Sequence, residues 1–309
     1  VLAITGGVVA AVVLGGDESF GSETLGENTT YSVSVKTAGG MALSEIDVYI
    51  YDSKKQDNMR DYGKTDENGQ ISFNIPKNKK YAIVLSGVAK GYEVKDSYKF
   101  DGESAEIILT SSLVTDEDLS TATLGLGDVM YDFTVTTSDG KEITLSKVLK
   151  EKKMVVLNFW YTTCSWCVEE FPIMESVYQE YKDDFEIIAL NNYPQDNNEK
   201  VKTFKEQYKL SFPMAMCPTS WSNTFGIQGY PTSIVIDRYG VICLVESGAV
   251  TSKRPWVCAF DHFTAKDYEQ KLCMTGIGDL VTQVKPNVEM PKSEEIEAAI
   301  NGTSGITYR

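Results

Sequence analysis

The sequence predicts two folded units. The first is an all-β antiparallel sandwich, and the second is an α/β unit whose central mixed sheet carries helices on both faces. Three observations predict this. From residue 29 to 110 apolar residues alternate with polar ones and no helical pattern interrupts them. After residue 127 apolar strand runs alternate with segments of helical spacing. Between the first such strand and the first such helix lies Cys164-Ser165-Trp166-Cys167.

In the first unit the buried face is written as Tyr31, Val33 and Val35, then Ile46, Val48 and Ile50, then Ile71, Phe73 and Ile75, then Tyr81, Ile83 and Leu85, then Ile107 and Leu109. A period of two leaves one face of each strand dry and the other wet. Gly39-Gly40, Asp66 to Gly69 and Pro76 to Lys79 supply the turns. The second unit opens with a hairpin over Phe133 to Leu145. Met154 to Trp160 then reads as a continuous apolar run, the pattern of a central strand buried on both faces. Phe171, Met174, Val177, Tyr178 and Tyr181 recur at helical spacing. A strand over Phe185 to Leu190 and a helix through Val201, Phe204 and Tyr208 come next. A strand pair turns at Tyr239-Gly240, and a last helix is expected over Ala265 to Leu272, with 251–263 as an insertion before it.

These patterns divide the chain into 1–16, 17–28, 29–112, 113–126, 127–275 and 276–309. Residues 1–16 carry no charge. They read as part of a membrane anchor, as a signal-peptide remnant, or as a buried glycine-rich segment. Residues 17–28 and 113–126 are linkers, 29–112 is the sandwich and 127–275 the α/β unit. Residues 276–309 form an extension in which Ser293 is placed to cap a short helix.

The formal net charge is −15, which excludes a phosphate-backbone ligand such as nucleic acid. His262 is the sole histidine, so mechanisms that need paired histidines or a His-rich metal site are disfavoured. No metal is expected. None of the six cysteines precedes residue 164, so the first unit is not a disulfide scaffold.

A Cys-x-x-Cys at the start of a helix has a direct physical consequence. The first helical turn has free N–H groups and a partial positive charge. A thiolate there is stabilised, its pKa falls, and it becomes a nucleophile for disulfide exchange. Two intervening residues bring the second sulfur into bonding range. Cys164 is expected to attack, being the more exposed, and Cys167 to resolve the mixed disulfide. Half of a zinc site or an inert structural disulfide would carry the same four letters. Glu170, one turn beyond Cys167, either tunes the thiols by its charge or is a solvated first-turn acid favourable to the helix dipole.

Two family resemblances rest on these residues. Gly63 to Pro76, GKTDENGQISFNIP, resembles the carboxypeptidase regulatory-like and Cna-B-like β-sandwich domains. That implies a spacer or docking module over about 80 residues. Some such domains crosslink a strand Lys to an Asn; Lys36 stands in a strand, but the last strand offers no Asn. The second resemblance runs from about Gly127 to Leu272. It joins Asn158-Phe159-Trp160, the Cys pair, Glu170-Phe171-Pro172 and Gly229-Tyr230-Pro231-Thr232. Together these are similar to the TlpA/ResA-type thioredoxin-like oxidoreductases, and they imply a thioredoxin fold. In that family Pro231 is a cis-proline facing the cysteines, Glu170 tunes their pKa and helps move protons, and the backbone of Tyr230 pairs with a substrate strand. Trp160, Ser165, Trp166 and Thr232 join Tyr230 as substrate-binding candidates. Thr163 stands where the family commonly has Trp, and Ser165-Trp166 lacks the frequent proline.

Of the remaining cysteines, Cys258 and Cys273 flank the expected last helix and are the candidate structural disulfide, with Cys217 and Cys243 left over. The expected function is extracytoplasmic thiol–disulfide exchange at the bacterial cell envelope, more as a reductant than as an oxidant. It needs no cofactor beyond the Cys164–Cys167 pair. Partners would be protein thiols and disulfides, a membrane or extracytoplasmic thiol donor, and the membrane through residues 1–16. Two alternatives are a surface binding or scaffold protein with a vestigial redox centre, and a peroxide-reducing redoxin. Against the last, Tyr161 stands where such enzymes place Thr.

Overall fold

The computed structural model describes residues 27–283 apart from 54, 78 and 116. The anchor reading of 1–16 and the helix expected near Ser293 lie outside the described residues. Among the described residues no helix is long and apolar enough to cross a membrane.

The first unit comprises β1 (Asn28–Thr37), β2 (Asp47–Asp52), β3 (Lys55–Lys64), β4 (Gln70–Pro76), β5 (Tyr81–Ser86), β6 (Tyr98–Lys99) and β7 (Ser104–Leu109). They form two sheets, β4–β1–β7 and β3–β2–β5–β6. The alternation in the sequence sets the sandwich: Val33, Val35 and Ile107 of one sheet and Val48, Ile50 and Ile83 of the other are buried in the same apolar cluster. β1 pairs antiparallel with β4 but parallel with β7. A period of two reads the same in either strand direction, so the pattern does not reveal that pair. Strand β3 was not legible either. Its sequence KQDNMRDYGK has no apolar period, and as an edge strand it needs only the backbone of β2. The Thr65-to-Gly69 turn works through Asp66, whose Oδ1 accepts from Asn68 N–H (2.9 Å) and Gln70 N–H (2.8 Å). Gly69 has φ +70°, and a Cβ there would collide with the Val35 carbonyl.

The second unit runs β8 (Thr134–Thr136), β9 (Glu142–Thr144), α1 (Leu145–Glu151), β10 (Met154–Trp160), α2 (Ser165–Tyr181), β11 (Phe185–Asn191), α3 (Asn198–Tyr208), β12 (Met214–Met216), α4 (Trp221–Thr224), β13 (Thr232–Asp237), β14 (Ile242–Ser247), α5 (Lys253–Thr264) and α6 (Gly278–Gln283). Its central sheet has the order β12–β11–β10–β13–β14. β10, β11 and β12 are parallel, while β13 and β14 run antiparallel to their neighbours. Every residue of β10 is buried. Met154, Val156 and Trp160 point into one apolar layer with α2, α3 and α5, whereas Val155, Leu157 and Phe159 point into the other with α1 and α4. The mixed sheet covered on both faces is the thioredoxin-like α/β fold.

The helix that follows the β13–β14 pair differs from expectation. It is α5, over Lys253–Thr264, the stretch read as an insertion, while Ala265 to Leu272 is irregular. Trp256, Ala259, Phe260 and Phe263 form a buried stripe at helical spacing, which the short polar segment after Thr264 cannot supply. Cys258 therefore sits inside this helix instead of flanking one, and Cys258 and Cys273 are both free and buried, not a disulfide. Cys273 is instead held beside β14, its N–H donating to Cys243 C=O at 2.8 Å.

The irregular segment joins the two units. Gln270 N–H donates to Gly39 C=O (2.8 Å), and its side chain contacts Thr37 Oγ1 and donates to Asp237 Oδ2 (2.7 Å). Asp237, fully buried, also accepts from Tyr268 OH (2.8 Å), and Ser111 Oγ donates to Tyr239 C=O (2.7 Å). Asp237 ends β13 and Thr232 begins it. The sandwich thus docks roughly 17 Å, a strand's length, from the Pro231 end of the sheet. Gln270→Ala strips a donor from a buried carboxylate and a partner from buried Thr37. It is expected to cost about 1–3 kcal/mol, read as a lower urea midpoint at unchanged slope.

Candidate active site

Trp160 ends β10, and the chain turns through Tyr161-Thr162-Thr163, with Cys164 N–H donating to Tyr161 C=O at 3.1 Å. Cys164 is then the N-cap of α2, with extended backbone (φ −79°, ψ 106°). Its Sγ accepts from Cys167 N–H at 3.1 Å, the bond a capping oxygen would make. The two cysteines are joined by a disulfide across a Cα–Cα distance of 5.3 Å. Cys164 is 4% exposed and Cys167 is sealed, so an incoming sulfur reaches Cys164 first. The 17 residues of α2 direct the positive end of their dipole at this sulfur.

Glu170 is fully buried, which removes the solvated first-turn reading. One carboxylate oxygen accepts from Val250 N–H (3.0 Å) and the other from Asn158 Nδ2 (3.1 Å). Asn158 Nδ2 also donates to Ser233 Oγ (2.9 Å), its neighbour across the β10–β13 pair. Burial raises the Glu170 pKa to about 7, against the two hydrogen bonds, which pull it down. A carboxyl that titrates near neutrality sits one helical turn from Cys167, and side chains three apart on a helix are neighbours.

The Tyr230–Pro231 peptide is cis, and Pro231 enters β13 beside β10. Tyr230 is half-buried, with its hydroxyl turned inward to Asn192 Oδ1 (2.8 Å). Ser165 and Trp166 are exposed, Trp166 at 59%. Two of the expected substrate contacts belong elsewhere. Trp160 is fully buried, packed edge-on to Phe171 and against Phe204, so it supports the site from below and meets no substrate. Thr232 is also buried, its hydroxyl donating to Gly229 C=O (2.9 Å). Burial pushes the thiols of Cys217, Cys243 and Cys273 up, so these three stay protonated and inert.

Sequence reasoning missed a second constellation. Asp196 accepts from Thr162 N–H (2.8 Å), Thr162 Oγ1 (2.6 Å) and Asn191 Nδ2 (2.8 Å). Burial opposes ionisation of Asp196, but these hydrogen bonds and Lys200 outweigh it and hold its pKa below the usual carboxylate range. Asn191 Oδ1 accepts from Tyr193 N–H (3.0 Å), and Tyr193 stacks on Tyr161 with ring centroids 4.7 Å apart. Tyr161 meets Tyr230 edge-on at 5.2 Å. The loops before Cys164, after β11 and before Pro231 are thereby fastened together. The signal in the sequence was Asn191-Asn192-Tyr193, polar and aromatic residues placed directly where an apolar strand ends.

Residues 126–245 match the model of the AhpC/TSA family. The chain is 33% identical over 128 residues to the thioredoxin-like protein YneN of Bacillus subtilis, covering 41% of this chain and 74% of that protein. It is 36% identical over 146 residues to the thiol–disulfide oxidoreductase ResA of Halalkalibacterium halodurans, covering 46% and 78%. Among solved structures, a thiol:disulfide interchange protein DsbE from Chlorobium tepidum aligns with a TM-score of 0.37 and 30% identity, covering 41% of this chain and 88% of that one.

Proposed function

The chain belongs to the thioredoxin-like thiol–disulfide oxidoreductases of the ResA and YneN kind, and from that premise we propose that it reduces disulfides in proteins outside the cytoplasm through Cys164 and Cys167. The observation that carries this reading is Cys164 at the N-cap of α2, its sulfur bonded to Cys167 and accepting a helix N–H.

In the reduced protein the Cys164 thiolate attacks one sulfur of a substrate disulfide. That S–S bond breaks, and the departing substrate thiolate takes a proton. Cys167 then loses its proton and attacks Cys164 Sγ. The mixed disulfide breaks, the second substrate thiol leaves, and the Cys164–Cys167 bond closes. Two electrons pass from the dithiol to the substrate. Glu170, whose pKa is about 7, takes up the proton that Cys167 releases inside a water-poor site. Pro231 and the Tyr230 backbone hold the substrate strand, and Ser165 and Trp166 form the approach to Cys164. The direction of exchange and the extracytoplasmic setting follow the family resemblance, with residues 1–16 as tether. An extracytoplasmic thiol donor would return the protein to its dithiol form.

The test is direct. Prereduced protein, regenerated by dithiothreitol, is mixed with insulin, and reduction beyond the dithiothreitol-only rate is followed by precipitation of the freed chains. Turnover well above a Cys164→Ser control is expected; activity equal to that control would overturn the assignment.

A further inference from the structure

Substrate must bring a sulfur to Cys164 Sγ, so residues next to its cysteine lie within about 7 Å of that point. What they meet there is fixed by the fold. Tyr161 is tied to Cys164 by the 3.1 Å backbone bond, and Tyr230 directly precedes Pro231. Tyr193 closes the set by stacking on Tyr161. All three rings are half-buried, so each keeps part of its surface open. The Tyr230 hydroxyl is engaged inward by Asn192 and Ser222, which leaves ring carbon toward the rim.

The rim is also uncharged. Tyr161, Thr163, Ser165, Trp166, Tyr193 and Tyr230 carry no charge in a chain of net charge −15. Asp196, an acid behind this rim, has a side chain only 3% exposed; its oxygens accept from Thr162 and Asn191, and its charge is paired with Lys200 at 3.9 Å. The six rim residues thus offer ring contact and no charge of their own to an incoming side chain. Because the Asp196 bonds hold the loops before binding, little ordering remains when a side chain arrives.

We infer that Tyr161, Tyr193 and Tyr230 form a specificity wall beside Cys164 that seats an aromatic side chain adjoining the substrate's cysteine. This rests on the exchange reading above. Tyr193 is the residue to test, since it belongs neither to the Cys164 turn nor to the Pro231 loop.

The experiment uses the full chain kept reduced by dithiothreitol, with the enzyme-free rate subtracted, and two cyclic disulfide peptides, identical except for Phe or Ala next to one cysteine. An aromatic pair of this kind corresponds to about tenfold, so kcat/KM is expected to favour the Phe peptide by about that factor, carried in KM. Tyr193→Ala should bring the ratio near one, and Tyr193→Phe, which keeps the ring, should restore it. Equal kcat/KM for the two peptides in the wild type, or a preference that survives in folded Tyr193→Ala, overturns the wall. Hydroxyethyl disulfide, which has no side chain to seat, separates the two levels. Its reduction without any peptide preference refutes the wall alone; failure to reduce it refutes the exchange reading as well.

Discussion

Cys167→Ala is expected to turn the protein from a catalyst into a trap. With the resolving sulfur gone, Cys164 still stands at the N-cap of α2 and still attacks, but nothing within the chain can attack the mixed disulfide that results. The other described cysteines are buried, and burial holds the thiols of Cys217, Cys243 and Cys273 protonated. Turnover of insulin should fall by at least about a thousandfold, the scale seen when one member of a unit that acts together is removed. A covalent adduct sensitive to dithiothreitol should accumulate, and mass spectrometry would identify the trapped partner. Cys164→Ala should lose turnover equally and form no adduct. An adduct on any cysteine other than 164 would displace Cys164 from the nucleophile's role. The substitution should cost little stability beyond the loss of one very short loop closure.

Glu170→Gln should change how stability depends on pH. Burial raises the folded-state pKa of Glu170 to about 7 from the ordinary 4.5. Between these values the native state keeps a proton that the unfolded chain has released. Stability therefore falls as pH rises through that window and levels off above pH 7. The size is roughly 3 kcal/mol over the window, from about 1.4 kcal/mol per unit of displacement. Gln carries no charge at any pH, so the variant should lose this slope. It should be more stable than the wild type above neutrality, by less than the full amount, because its amide faces donors at Val250 and Asn158. Asn158 Oδ1 has no hydrogen-bond partner, and reversal of the Asn158 amide would let it accept from Gln. Urea melts from pH 4 to 8.5 provide the check. A wild-type-minus-variant difference that is flat between pH 4.5 and 7 would show that Glu170 is ionised throughout. If Glu170 also takes the Cys167 proton, the same variant should slow the resolving step with a larger effect on kcat than on KM.

Burial periodicity is local, so the order of residues alone divides the chain into a β-sandwich and an α/β unit: Val48 and Ile50, or the unbroken run Met154 to Trp160, state which faces are dry. The same order marks the Cys164–Cys167 pair, since two sulfurs three residues apart at a helix start need no distant partner to be recognised. The rest arose only on folding. Glu170 became a neutral-range carboxyl because folding buries it, an effect that outweighs the hydrogen bonds it accepts from Val250, 80 residues away, and Asn158. Trp160 and Thr232 left the list of substrate contacts because packing turned them inward. The helix shifted from Ala265–Leu272 to Lys253–Thr264, and the Cys258–Cys273 pairing fell with it. Asp196, the tyrosine wall and the Gln270 bridge to the sandwich join loops far apart in the chain. Such contacts leave no period in a sequence; they exist only once the sheet has brought its strand ends together.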